Sequence, residues 1–136
     1  MLFVLAALAT GAAVLTAACN FTMTVPKPPV YAESMDSLRA QVRGLVSCEH
    51  FDVEGSETTT NGKKQTQLKI DIVNPQGLPQ GDSVWVLGQS LASTLKRALK
   101  DTAEYETYRV GFTKEEKSGM SSSSQSEFRT FLSRDL

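Results

Sequence analysis

Cys48 and His50 are the residues in this sequence whose types could support covalent catalysis, a thiol made nucleophilic by an imidazole that takes its proton. Two residues apart on a strand they would share a face. A working site also needs a third group to orient the imidazole, and the stretch Cys48-Glu49-His50-Phe51-Asp52 does not specify one. The local pattern therefore predicts a buried structural thiol at Cys48 and an exposed strand histidine at His50, with a thiol enzyme or hydrolase using the pair as an alternative.

Other chemistry finds less support. No serine stands in Gly-x-Ser-x-Gly, and Gly88-Gln89-Ser90 falls inside a helical pattern rather than on a strand-to-helix elbow. One histidine without a Cys-x-x-Cys or His-x-x-x-His pair predicts no metal site. Phosphate-binding glycine loops are missing as motifs, so no nucleotide cofactor is expected. A net charge of -1 supplies no basic footprint, which argues against nucleic acid as a partner. Trp85 adjoins the apolar face of a helix and is expected to pack partly into the core, with a ligand lying beside it as the alternative.

The N-terminus is more specific. Residues 2–18 contain no charge and end in Leu15-Thr16-Ala17-Ala18-Cys19. An all-apolar run of about seventeen residues is at the lower limit for crossing a bilayer, and its small-residue end has the composition of a cleavage site. This end resembles the lipobox of bacterial lipoproteins. The resemblance implies diacylation of Cys19, removal of residues 1–18 by signal peptidase II, and a lipid-tethered protein of the cell envelope, at the outer membrane facing the periplasm. Two features depart from the family pattern: Thr16 stands where leucine is usual, and no Lys or Arg precedes the apolar run. An uncleaved membrane helix and an ordinary secretory peptide are the alternatives. Two or more acyl chains, at about 0.8 kcal/mol per buried methylene, make a stable tether.

The chain also resembles small envelope lipoproteins of Bacteroidota. Asp36-Ser37-Leu38, Asp82-Ser83-Val84 and Asp101-Thr102-Ala103 match the Asp-Ser/Thr-aliphatic O-glycosylation acceptor of that group, which implies Ser37, Ser83 and Thr102 as acceptors. Asp-Ser is equally what a helix start needs for capping.

Behind these residues the sequence predicts a signal peptide over 1–18, a Pro/Thr linker over 19–30 and one α+β domain over 31–136. Met35, Leu38, Val42 and Leu45 recur at helical spacing after Ser34. Asn61-Gly62 joins two strands, over 46–60 and 63–73, as a tight hairpin. Asp82 or Ser83 is expected to cap a second helix whose face is Val84, Leu87, Leu91, Leu95 and Ala98, with Lys96 on its wet side. Strands near Tyr108 and Phe128 flank a solvated loop over 113–125. The order αββαββ predicts two helices on one face of a four-stranded antiparallel sheet, with Leu68, Ile70, Val110 and Phe128 facing the helices.

Taken together these features predict a lipid-anchored, non-enzymatic binding or accessory module with no cofactor. Its partners are the membrane and an envelope protein. Carriage of a small ligand or lipid is the further alternative.

Overall fold

Asn61 and Gly62 adopt φ angles of 51° and 81°. That left-handed pair, which Asn and Gly tolerate best, folds β2 (His50–Thr60) back on β3 (Lys63–Val73) with Thr60 opposite Lys63. The computed structural model describes residues 21–136; the apolar leader and Cys19 lie outside the described residues. Ser34 caps α1 (Met35–Leu45) by accepting the Ser37 amide at 3.1 Å. The second helix, α2 (Asp82–Ala98), starts differently from expectation: Gly81, at φ 60°, holds the cap position and no side chain caps it. Neither Asp82 nor Ser83 can serve, because both already lie within the first helical turn.

The sheet has five strands in the order β1-β2-β3-β4-β5, where β1 is Thr22–Pro26, β4 is Thr107–Ser118 and β5 is Ser121–Leu132. Three expectations are corrected here. The predicted linker contains β1, which pairs antiparallel with Ser56–Thr60; threonine and valine favour the strand, and Pro26 ends it on an edge, where a missing amide is tolerated. The sheet is mixed rather than antiparallel, since β3 and β4 run parallel with Gln67 opposite Thr107. The chain returns through α2, and a helical crossover is what a parallel pair requires. Finally, the predicted loop over 113–125 is a two-stranded arm closed at Gly119-Met120, with Ser118 opposite Ser121. Its charged and serine residues lack apolar alternation, so periodicity could not reveal strands whose register is inherited from the core end.

Leu68, Ile70 and Ile72 of β3 stand in register with Tyr108, Val110 and Phe112 of β4, all fully buried. Leu38 and Val42 of α1 and Val84, Leu91 and Leu95 of α2 complete the same core. Met35 and Leu45, at the two ends of the predicted α1 stripe, are exposed. Phe128 is not a core residue: the register sets Phe131 opposite Tyr108 and Phe128 opposite Gly111. Phe131 is therefore buried on the helix side, and Phe128 is 50% exposed on the open face. Lys96 is also not a wet-side residue, because its ammonium group donates to the Ser133 carbonyl at 2.6 Å.

Two core tyrosines differ in one respect. The Tyr105 hydroxyl donates to the Lys27 carbonyl at 2.6 Å, whereas that of Tyr108 is buried with no hydrogen-bond partner among the described residues. Burial, reinforced by the nearby Glu104 carboxylate, pushes both phenols up to about 12 from an ordinary value of 10.0. A phenol whose folded value is raised holds its proton more tightly in the folded state. The stability it contributes is complete below pH 10 and is lost as pH rises through about 12. Chemical denaturation at increasing pH should show the midpoint falling over that window. Tyr105→Phe should cost about 1 kcal/mol, while Tyr108→Phe should be neutral or stabilising by up to about 1 kcal/mol. Equal losses at both positions would contradict the assigned hydrogen bonds.

Candidate functional site

Since β2 begins at His50, Cys48 lies in the turn between α1 and β2 rather than on a strand. It is half-buried against the core, and burial pushes its thiol up, with the Arg43 charge partly opposing. Such a thiol stays protonated near neutral pH and is a poor nucleophile. His50 lies on the open face, where its Nε2 is 3.7 Å from Asp52 Oδ2 and both side chains are exposed. Phe51 between them packs on the core side. Cys48 and His50 thus belong to opposite sides of the sheet and form no thiol–imidazole pair.

The remaining sequence candidates are separated. Gly88 supports packing: a Cβ there would meet the Phe131 ring at 3.1 Å. The Ser90 hydroxyl donates back to the Val86 carbonyl at 3.2 Å, within its own helix. Trp85 is 51% exposed and leans on Phe131 with ring centroids 5.0 Å apart. Ser37 is in α1, Ser83 in the first turn of α2 and Thr102 in the exposed turn after it. Among the described residues no group of three or more His, Cys, Asp or Glu is placed to hold a metal ion.

What the structure adds is β5. Phe128 and Leu132 are 50% and 40% exposed on the open face, and the Arg109 guanidinium carbon lies 3.9 Å from the centre of the Phe128 ring. A cation over an aromatic face is attracted by the ring quadrupole and leaves the other face of the ring free for contact. The backbone alternation is fixed from both ends. Asn74 donates to the Thr113 carbonyl and Ser133 to the Glu106 carbonyl, each at 2.8 Å, so Thr113 faces β3 and Glu106 faces β5. The residues opposite Thr113, Gly111 and Arg109, namely Ser126, Phe128 and Thr130, therefore turn their amides and carbonyls away from β4. Among the described residues no strand lies beyond them. The signal was present in the sequence, because Phe128 and Phe131 are three apart and cannot share one face of a strand.

At the other side of the sheet, where β1 leaves β2, an open groove of about 560 Å³ forms between Pro26, Pro28, Pro29 and Val53. Its walls do not include Trp85. Compared with protein-family models, curated proteins and solved structures, the chain matches none.

Proposed function

We propose that this chain is a lipid-anchored, non-enzymatic accessory module of the bacterial cell envelope that binds another envelope protein along β5. The observation that carries the reading is the β5 edge at Ser126, Phe128 and Thr130, which no strand covers among the described residues and where only the Phe128 carbonyl is already engaged, by the Arg129 guanidinium at 2.7 Å. Beside it stand the exposed Phe128 and Leu132 and the half-buried Arg109. A partner strand added there would supply main-chain hydrogen bonds, and Phe128 would supply side-chain contact. Position supports this. Cys19 precedes β1, and β5 is at the opposite edge, four spacings of about 4.8 Å or roughly 19 Å away. Acylation at Cys19 holds β1 next to the outer membrane and leaves β5 reachable from the periplasm. O-glycosylation at the exposed Ser83 and Thr102 would fit the same location.

The test is a photo-crosslinking residue placed in the intact cell at Phe128 or Thr130, with Gln41 on the exposed side of α1 as control. The same adduct from both β5 positions and none from Gln41 is the expected result. Adducts that do not depend on position, or none from β5, would contradict the reading.

The groove beside Pro28 and Pro29 favours a second reading, carriage of a small ligand. Under the first reading native mass spectrometry of the protein gives the mass of the acylated chain alone; a stoichiometric added mass would favour carriage.

A further inference from the structure

We infer that the exposed apolar stripe of β1 is a second membrane contact, seated in the anionic lipid surface that holds the acylated Cys19; the inference rests on the anchoring proposed above. Phe21, Met23 and Val25 alternate, share one face, and are 69%, 51% and 40% exposed. The other face carries Thr22 and Thr24, whose hydroxyls bond across to Thr60 and Thr58 at 3.4 and 3.1 Å. A row of large apolar groups along an edge strand is a sticky surface when left in water.

Reach decides what covers it. Phe21 follows Cys19 by two residues, so the two lie within about 7 Å even when the chain is fully extended. The headgroup layer is roughly 5–8 Å deep on each side of the hydrocarbon. The start of β1 therefore cannot stand clear of the membrane that holds the acyl chains.

Charge points the same way. The Asn61 amide donates to the Phe21 carbonyl at 3.4 Å, which brings the β2–β3 turn alongside the start of the stripe. Lys64, opposite Thr59 and so on the face of Met23, lies on the stripe side, and Lys63, opposite Thr60, on the other. Lys64 and Lys27 both approach Glu57 at 3.9 Å, and Lys27 also borders a hollow shared with Asp101 and Glu104, so Lys64 is the lysine nearest the start of the stripe. A lysine at the edge of an apolar, aromatic stripe suits anionic phospholipid.

The full chain, made in a host that processes lipoproteins, carries one tryptophan, Trp85. In a Trp85→Phe background, Met23→Trp reports from the stripe and Thr24→Trp from the opposite face. Each variant is reconstituted into vesicles of phosphatidylethanolamine and phosphatidylglycerol with brominated acyl chains, and intact mass of the same sample reads acylation of Cys19. With Cys19 acylated, quenching of Met23→Trp should exceed that of Thr24→Trp by about twofold or more, as for a face lying about 5–10 Å into the headgroup–acyl boundary. Adding Lys64→Glu should reduce the difference. Acylated protein with equal, weak quenching at both positions overturns the stripe and leaves the anchor standing. Blue-shifted emission from Met23→Trp that bromine does not quench assigns the stripe to a second copy and overturns it too. Protein without acyl chains removes the anchor, and this inference with it.

Discussion

Gly55→Val is expected to unseat β1 and to cost about 3 kcal/mol, the upper end of the usual range for overpacking. Gly55 points to the core side of β2, where a Cβ would stand 2.0 Å from the Lys27 carbonyl oxygen and 2.4 Å from the Tyr105 hydroxyl. Neither neighbour can yield easily. Lys27 donates its amide to the Gly55 carbonyl at 2.8 Å and accepts from Tyr105 at 2.6 Å. Beyond it the chain is tied to α2, with Lys100 donating to the Val30 carbonyl at 2.9 Å and Ala32 to the Ala98 carbonyl at 2.8 Å. Any side chain at 55 must push this strap off the sheet. Gly44→Ala is the matched control, since nothing lies within 4 Å of its Cβ and alanine is worth up to about 1 kcal/mol over glycine inside a helix. Urea denaturation of the two variants should move in opposite directions, and limited proteolysis should open the segment around Pro28 in Gly55→Val alone. Equal midpoints would mean that the strap does not cross the sheet at Gly55.

Leu91→Ala should cost about 2–5 kcal/mol, the range for a buried leucine that leaves a cavity. Leu91 is fully buried on α2, in the same core as Leu38, Val42, Leu95, Ile70 and Val110. The proper control is Gln89→Ala, an exposed position on the same helix, expected to stay within about 0.5 kcal/mol. Lys96 cannot serve, because its bond to the Ser133 carbonyl ties α2 to the end of β5. Losses that are small and equal at 91 and 89 would remove the amphipathic assignment of α2.

Local signals in the chain are legible where one residue type has one physical meaning. Asn61-Gly62 marks its turn because few other pairs tolerate two left-handed residues, and Leu91 and Leu95 mark the buried side of α2 because only one side of a helix can face a sheet. Such signals are not legible where the deciding term is not local. Phe21 to Val25 does alternate, but the run is short and leads into Pro26, Pro28 and Pro29, which read as an extended linker; it becomes a strand because β2 offers an edge to pair with. The parallel β3–β4 contact depends on where α2 deposits the chain, which spacing does not encode. Phe128 and Phe131 fit either parity until the pairing with β4 chooses. The same ambiguity conceals the candidate surface on β5, because spacing alone does not say which of the two phenylalanines faces the helices. Cys48 and His50 illustrate the converse: residues two apart share a face only if both are on the strand, and β2 begins two residues after Cys48.

The central claim is that Cys19 carries lipid and holds this domain on the membrane, and intact-mass analysis of the protein extracted from cell membranes tests it most directly. The expected species begins at Cys19, carries the added mass of its acyl chains, and shifts to the soluble fraction or to the unprocessed chain in Cys19→Ser. A membrane-bound species that retains residues 1–18, or a Cys19→Ser protein that is still cleaved and still membrane-associated, would contradict it.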